Sequence, residues 1–294
     1  VNACAPWRKP LAATLLAVLT CAAPRVSAQV GGRLLATSGG TQIEGSAGGG
    51  LVPWALIAGY GTRDEVGGSL HETYFQSPDF GVNSAGAALG WRDRVELSYA
   101  HDVLFAGRAG ERLGLGRGYQ FNLDVAGAKI RLFGNAVYDQ AWWLPQMAAG
   151  VQVKWAGSHD LLHALGARTE SSADIYLAAT KLFLAQSLLL NVTLRATRAN
   201  QFGFLGFGSD RQSGYRAEPE ASATLLLSRH FAVGAEWRGK PDNLAFARED
   251  AAWDLFGAWF INKHLALTLA AVSLGRVPRQ GDQTGGYLSL QLGF

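Results

Sequence analysis

Six histidines are spread over the 294 residues, and each is a candidate catalytic or metal-ligating group. A nucleophilic serine needs a histidine within hydrogen-bond reach and a third group to orient it. Ser98 and His101 are close in the chain, but three residues apart on a strand they point to opposite faces. His71 stands beside Glu72 and could act as a base, with no partner that the sequence identifies. His230 and His264 fall in expected tight turns. His159 and His163 have the i, i+4 spacing of a helical metal pair; only Asp160 offers a nearby third ligand, and a solvated loop is the plainer account. The glycines of "GLGRGYQ" lack the strand-to-helix context of a phosphate-binding turn. "KPDNLAFARED" mixes both charge signs and reads as a solvated loop, with a ligand-facing role as the alternative. No complete catalytic, cofactor or metal set emerges, and an enzyme is not expected.

A second set of charges has a different character. Glu96, Lys129, Arg131, Lys154, Arg195, Glu220, Glu236 and Arg238 fall on strand faces otherwise made of Gly, Ala, Ser and Thr. Such a face is poor as a solvent-facing sheet and reasonable as the wall of a lumen. Mixed charges there can edge a water-filled path or bridge across it.

The elements that carry them are strands. Candidates at 83–91, 95–104, 120–132, 146–155, 173–184, 188–197, 217–227, 231–238, 252–261, 265–273 and 284–294 follow one another with no long helical periodicity between them. Around 52–60 and 66–75 the phase is ambiguous, and a strand at 41–46, "TQIEGS", is possible. Three-residue turns fix the pairing. Around 92–94, Trp91 faces Val95 and Gly90 faces Glu96. Around 185–187, Leu182 faces Leu190 and Thr180 faces Val192. Around 228–230, Leu225 faces Val233 and Glu220 faces Arg238. Around 262–264, Trp259 faces Leu267. Each choice puts apolar against apolar on one face, and a slip of one residue would destroy it. None of these turns has the glycine that three-residue hairpins usually want.

Longer connections at 105–118, 156–171, 198–215, 239–250 and 274–283 alternate with these turns, although 133–144 is long on the short side. The pattern is that of an all-β transmembrane up-and-down antiparallel β-barrel. Even parity with "TQIEGS" as a strand gives about fourteen strands; the alternative is twelve, with the ambiguous start as a plug. Trp54, Trp91, Trp155, Trp237, Trp253 and Trp259 fall where an interfacial aromatic girdle belongs.

Composition agrees with an envelope location. Arg8 and Lys9 precede the apolar run "LAATLLAVLTCAA", and Val26-Ser27-Ala28 offers small residues for cleavage before Gln29, so residues 1–28 read as a secretory signal. Residues 29–40 then form a periplasmic segment and 41–294 the barrel. Both cysteines, Cys4 and Cys21, leave with the signal, as do three basic residues, so that 23 basic residues face 23 acidic ones. Nucleic-acid binding loses its usual electrostatic footprint. No other segment is long and apolar enough for a membrane helix.

The chain ends in "TGGYLSLQLGF". A strand with alternate hydrophobic residues and a final phenylalanine resembles the sorting signal read by the outer-membrane assembly machinery; Leu288, Leu290, Leu292 and Phe294 match it. The stretches "GGGLVPWALIAGYGT", "GAKIRLFGNAVYDQ", "TLRATRANQFGFLGFG" and "KPDNLAFARED" resemble an uncharacterised family of Gram-negative bacterial proteins, a domain of unknown function, over nearly the whole mature chain. The resemblance implies an envelope protein and supplies no activity. The expected partners are outer-membrane lipids, the assembly machinery and a small solute. The expected function is a narrow passive channel for small solutes, because eight strands are filled by side chains and sixteen enclose an open channel. A lipid-modifying enzyme and a structural or surface-binding barrel are the alternatives.

Overall fold

The computed structural model describes residues 40–294 apart from 142, 245–247 and 278–280. The expected signal at 1–28 and residues 29–39 of the following segment lie outside the described residues. In chain order the strands are β1 (Val66–Gln76), β2 (Gly81–Trp91), β3 (Val95–Phe105), β4 (Gln120–Phe133), β5 (Gln146–Ala156), β6 (Ala167–Thr169), β7 (Ser171–Phe183), β8 (Leu188–Thr197), β9 (Phe207–Ser209), β10 (Arg216–Leu226), β11 (Phe231–Arg238), β12 (Ala252–Phe260), β13 (Leu265–Val277) and β14 (Gly281–Gly293). All but β6 and β9, which pair with each other, form one closed antiparallel barrel of twelve strands, in which β1 meets β14.

Twelve is the smaller of the two expected counts. The stretches at 41–46 and 52–60 are not barrel strands; they make only the isolated bridges Thr41 to Ala47 and Gly48 to Pro53. Gly48-Gly49-Gly50 and Pro53 interrupt any ladder, and "LVPWALIA" has no alternation to divide between lipid and lumen. This segment coils inside the barrel.

Three of the four expected registers are present: Gly90 opposite Glu96, Glu220 opposite Arg238 and Trp259 opposite Leu267. The fourth is shifted by one, with Leu182 opposite Leu189 and Thr180 opposite Asn191. The turn there is longer, a 3-10 turn at Leu184–Gln186 closed by Ser187 at φ 52°. The missing glycines are replaced in two ways. Arg92 and Asp93 adopt positive φ themselves, whereas Ser228 Oγ accepts from the amides of His230 and Phe231, and Asn262 Oδ1 from those of His264 and Leu265.

Alternation then divides the wall. Leu97, Ile175 and Leu269, on different sides of the barrel, are each about 60% exposed, as befits a lipid-facing band rather than a soluble surface. Trp91 and Trp259 ring the turn end, and Trp155, Trp237 and Trp253 the loop end, all exposed. Trp54 does not join them. It is buried in the lumen, with Nε1 donating to Ser222 Oγ at 3.0 Å.

The long connection at the turn end has a physical role. Ala136 and Val137 are buried against Leu51, Trp54, Leu56, Leu182 and Leu189, so this stretch covers the mouth of the barrel. At the seam, Phe294 N donates to Gly68 O at 2.9 Å and Gly68 N returns the bond at 2.8 Å. A Cβ on Gly68 would stand 2.6 Å from the Phe294 ring, so a side chain there would push the ring aside.

Candidate functional site

The site is the lumen and the segment 40–61 that fills it. A coil inside a barrel must satisfy its backbone polar groups without a ladder, and here the wall's side chains do so. Ala47 N and Ala58 N donate to the two oxygens of Glu96 at 3.0 and 2.8 Å. Ala55 N donates to Thr180 Oγ1 at 2.7 Å and Leu51 N to Glu236 Oε2 at 2.6 Å. Lys129 donates to Ala47 O and Trp54 O, and Thr193 to Pro53 O. Gln146 donates to Ala55 O, and Arg238 to Leu51 O. Gly49 lies so close over Glu236 that a Cβ would be 1.9 Å from its Oε1.

Electrostatics centre on Glu44, a residue of this segment and not of any strand. Its Oε1 accepts from Lys154 Nζ at 2.5 Å and Arg238 Nη2 at 2.8 Å, and Arg195 Nη1 is 3.4 Å from Oε2. The same cations meet acids of the wall: Lys154 pairs with Asp174 at 2.7 Å, Arg195 with Glu220 at 2.5 Å, and Arg238 with Glu220 at 3.3 Å. Three cations thus face three carboxylates, all almost fully buried. Burial alone would raise the Glu44 pKa, but Arg238, Lys154 and Arg195 together hold it well below the ordinary carboxylate range.

The eight charges named from the sequence divide accordingly. Lys154, Arg195, Glu220 and Arg238 belong to this network; Glu96 and Lys129 pair with each other at 3.0 Å; Glu236 accepts from Ser222 Oγ at 2.7 Å as well as from Leu51. Arg131 is apart from them, near the turn end, on Asp93 and Gly134 O. Glu44, Asp174 and Gln152 were not named. Gln152 Oε1 accepts from Arg195 at 2.5 Å, and its place on the inward face of β5, two residues before Lys154, was the signal for it.

The histidines are structural in their surroundings. His71 is buried between Thr41 Oγ1 and Ser84 Oγ, each 3.0 Å away, and so ties the lumenal segment to β1 and β2. His101 bonds Asp124 at 2.8 Å, Tyr99 donates to the same carboxylate, and Ser98 is buried on the other face. His230 and His264 bond Phe260 O and Gly293 O, each at 2.8 Å, locking turns to neighbouring strands. His159 and His163 lie on a short helix, His159–Ala164, where the third group is Glu170 and not Asp160; its Oε2 is 3.2 Å from His159 Nδ1 and 3.9 Å from His163 Nε2. The "GLGRGYQ" stretch is largely exposed.

The described part of "KPDNLAFARED" is not a solvated loop. Lys240, Asn243, Leu244 and Glu249 are buried, and the stretch packs on Gln201, whose N donates to Glu249 Oε2 at 2.9 Å and whose Oε1 accepts from Lys240 at 3.1 Å. Burial raises Glu249 to about 7 and lowers Lys240 to about 8. Next to them the Phe202 ring lies under Arg238, 4.7 Å from the guanidinium carbon. The two sides of the lumen's loop half therefore differ. Charges crowd the side of β5 to β11, and apolar side chains from β1 to β4, β13 and β14, with the buried carboxylate of Asp102 behind Ser84, occupy the other, around a cavity of about 100 Å³.

A family model described as "Protein of unknown function (DUF3034)" matches residues 37–291. No curated protein matches the chain in sequence. Among solved structures the barrel is similar to the KdgM porin, at 10% identity and a TM-score of 0.50 over 77% of this chain and 99% of that one. It is also similar to outer membrane phospholipase A from Escherichia coli (12% identity, TM-score 0.46, 80% and 93% of the two chains). A third similar structure is the COG4313 outer membrane channel from Pseudomonas putida F1 (11% identity, TM-score 0.44, 82% and 96%). At these identities the likeness is one of fold.

Proposed function

The chain belongs to the DUF3034 family of proteins of unknown function, and from that premise we propose that it is a narrow passive channel of the outer membrane, held closed by its own segment 40–61. The observation that carries the reading is that this segment fills the lumen without entering the barrel's pairing. Removing it leaves the twelve-strand wall complete. The groups it would vacate are polar or charged, so water can replace them, and twelve strands lie between barrels filled by side chains and those with wide channels. The turn end faces the periplasm and the long loops face outward. Outer-membrane lipids surround the apolar band, the assembly machinery reads the strand ending in Leu288, Leu290, Leu292 and Phe294, and a small solute is the cargo. The lipid-modifying alternative has no such support: Asp124 orients His101, and Ser98 lies on the opposite face.

Planar bilayer recording tests this. The intact protein should give rare, small currents. Deletion of 40–61, or Glu44→Lys, which sets a fourth positive charge among Lys154, Arg195 and Arg238, should give persistent ones. In the deleted barrel, Lys154→Glu with Arg195→Glu should move ion preference towards cations. Folded barrels of both kinds with no current above background would end the proposal.

A further inference from the structure

The cavity on the apolar side of the lumen has a chemistry that the charged network does not share. Six aromatic side chains converge on it from four stretches of the chain: Phe75, Phe80, Phe121, Phe202, Phe204 and Tyr287. Each is less than 10% exposed. Ile43 and Leu51 of the lumenal segment complete the inner wall. Ala109 and Leu113, on and just after the short helix α1 (Gly107–Arg112) of the β3–β4 loop, close it from outside.

The polar side chains at its edge are already engaged. Thr73 Oγ1 bonds Ser289 Oγ at 2.7 Å, Ser84 Oγ donates to Ile43 O at 2.8 Å, and Gln201 accepts from Lys240 and donates to Arg276 O. An anionic ligand would lose its hydration, find no free donor among these side chains, and be repelled by the buried carboxylate of Asp102 beside Ser84. An apolar one would exchange water for aromatic contacts, edge-on or offset-stacked. A cavity of about 100 Å³ is of the order that takes one small ring; an apolar cavity of about 150 Å³ stays dry and binds benzene.

We propose that this cavity is a binding site for a small uncharged aromatic molecule, seated above the lumenal segment on the loop side. As a statement about cargo it rests on the channel reading, and Ile43 and Leu51 are the contacts through which an occupant would touch the segment that closes the pore.

The test is fluorine-19 NMR of fluorobenzene with the intact protein in amphipol, so that no micelle competes for the probe. A saturable bound signal is expected, weakened about tenfold or more in Ala109→Phe and in Leu113→Trp, which fill the cavity from the loop. Both changes lie outside the barrel strands, and barrel folding is checked by heat-dependent gel mobility. 4-Fluorobenzoate, the same ring with a charge, should give no bound signal. Absence of a bound signal with the folded protein, or equal signals in the parent and both variants, would overturn the site. Binding of 4-fluorobenzoate as tight as that of fluorobenzene would overturn the uncharged class. Fluorobenzene binding beside a segment-deleted barrel that fails to conduct would support the cavity and refute the channel; a conducting barrel with no bound signal would do the reverse.

Discussion

Arg238 Nη2 donates to Glu44 Oε1 at 2.8 Å, joining residues 194 apart in sequence, and so fastens the lumenal segment to β11. Either loss leaves the network one charge out of balance, but Glu44 meets all three cations, Lys154, Arg195 and Arg238, whereas Arg238 meets two of the three acids, Glu44 and Glu220. Glu44→Gln should therefore destabilise the barrel more than Arg238→Gln, by several kcal/mol. The double-mutant cycle should show a coupling of roughly 1–3 kcal/mol, read by denaturant unfolding in lipid vesicles. Additive losses would mean that the contact holds nothing.

The acid response follows from the sign of the Glu44 shift. Its folded pKa is depressed, so the stability it contributes is present above the ordinary carboxylate range and lost only as pH falls through the lower folded value. Single-channel recording should find the closed state unchanged from neutral pH to about pH 5. Opening in that window would place the gate elsewhere.

Glu249 behaves in the opposite sense. Its folded pKa is raised to about 7, so the loop packing on Gln201 is most stable below the ordinary carboxylate range and loses that increment as pH climbs towards 7. Carbon-13 NMR of the Glu249 carboxyl should titrate near that value. In Lys240→Met the midpoint should rise, because the cation that favours the ionised form is gone. An unmoved midpoint would show that the two groups do not interact.

Gly49 tests the fit of segment to wall. Gly49→Leu places a side chain where Glu236 stands, so it should displace the segment and give persistent currents from a barrel of normal gel mobility. Currents as rare as the parent's would show that the segment accommodates the change.

Phe294→Asp should impair assembly and leave the protein in periplasmic aggregates, because an apolar ring over Gly68 is replaced by a charge in the lipid-facing set. Cell fractionation with normal outer-membrane levels would contradict this.

The wall was legible because each strand states its own facing: Leu89, Trp91, Val95 and Leu97 alternate with Gly90 and Glu96, and one turn length aligns them. Where the turn is closed by Ser187 at positive φ, the inferred pairing was off by one residue. The lumenal segment was harder to read. Its conformation is set by Glu96, Lys129, Thr180, Thr193 and Glu236, which come from five different strands, and no local pattern in 40–61 encodes them. Glu44 was overlooked for that reason: in a strand "TQIEGS" it is one polar residue among several, and only the assembled wall gives it three cations. The burial of Lys240 and Glu249 escaped notice because their charges suggested solvent, and their partner Gln201 is remote in sequence.

One carbonyl serves two parts of the molecule. Phe294 O accepts from Gly68 N at 2.8 Å, sealing β1 to β14, and from Tyr60 N at 3.0 Å, at the exit of the lumenal segment. Phe294 thus ties the first strand and the filling together through a single oxygen. The seam and the segment therefore share an anchor at the turn end, so that a change at this carbonyl is felt both by the closure of the cylinder and by the exit of its filling.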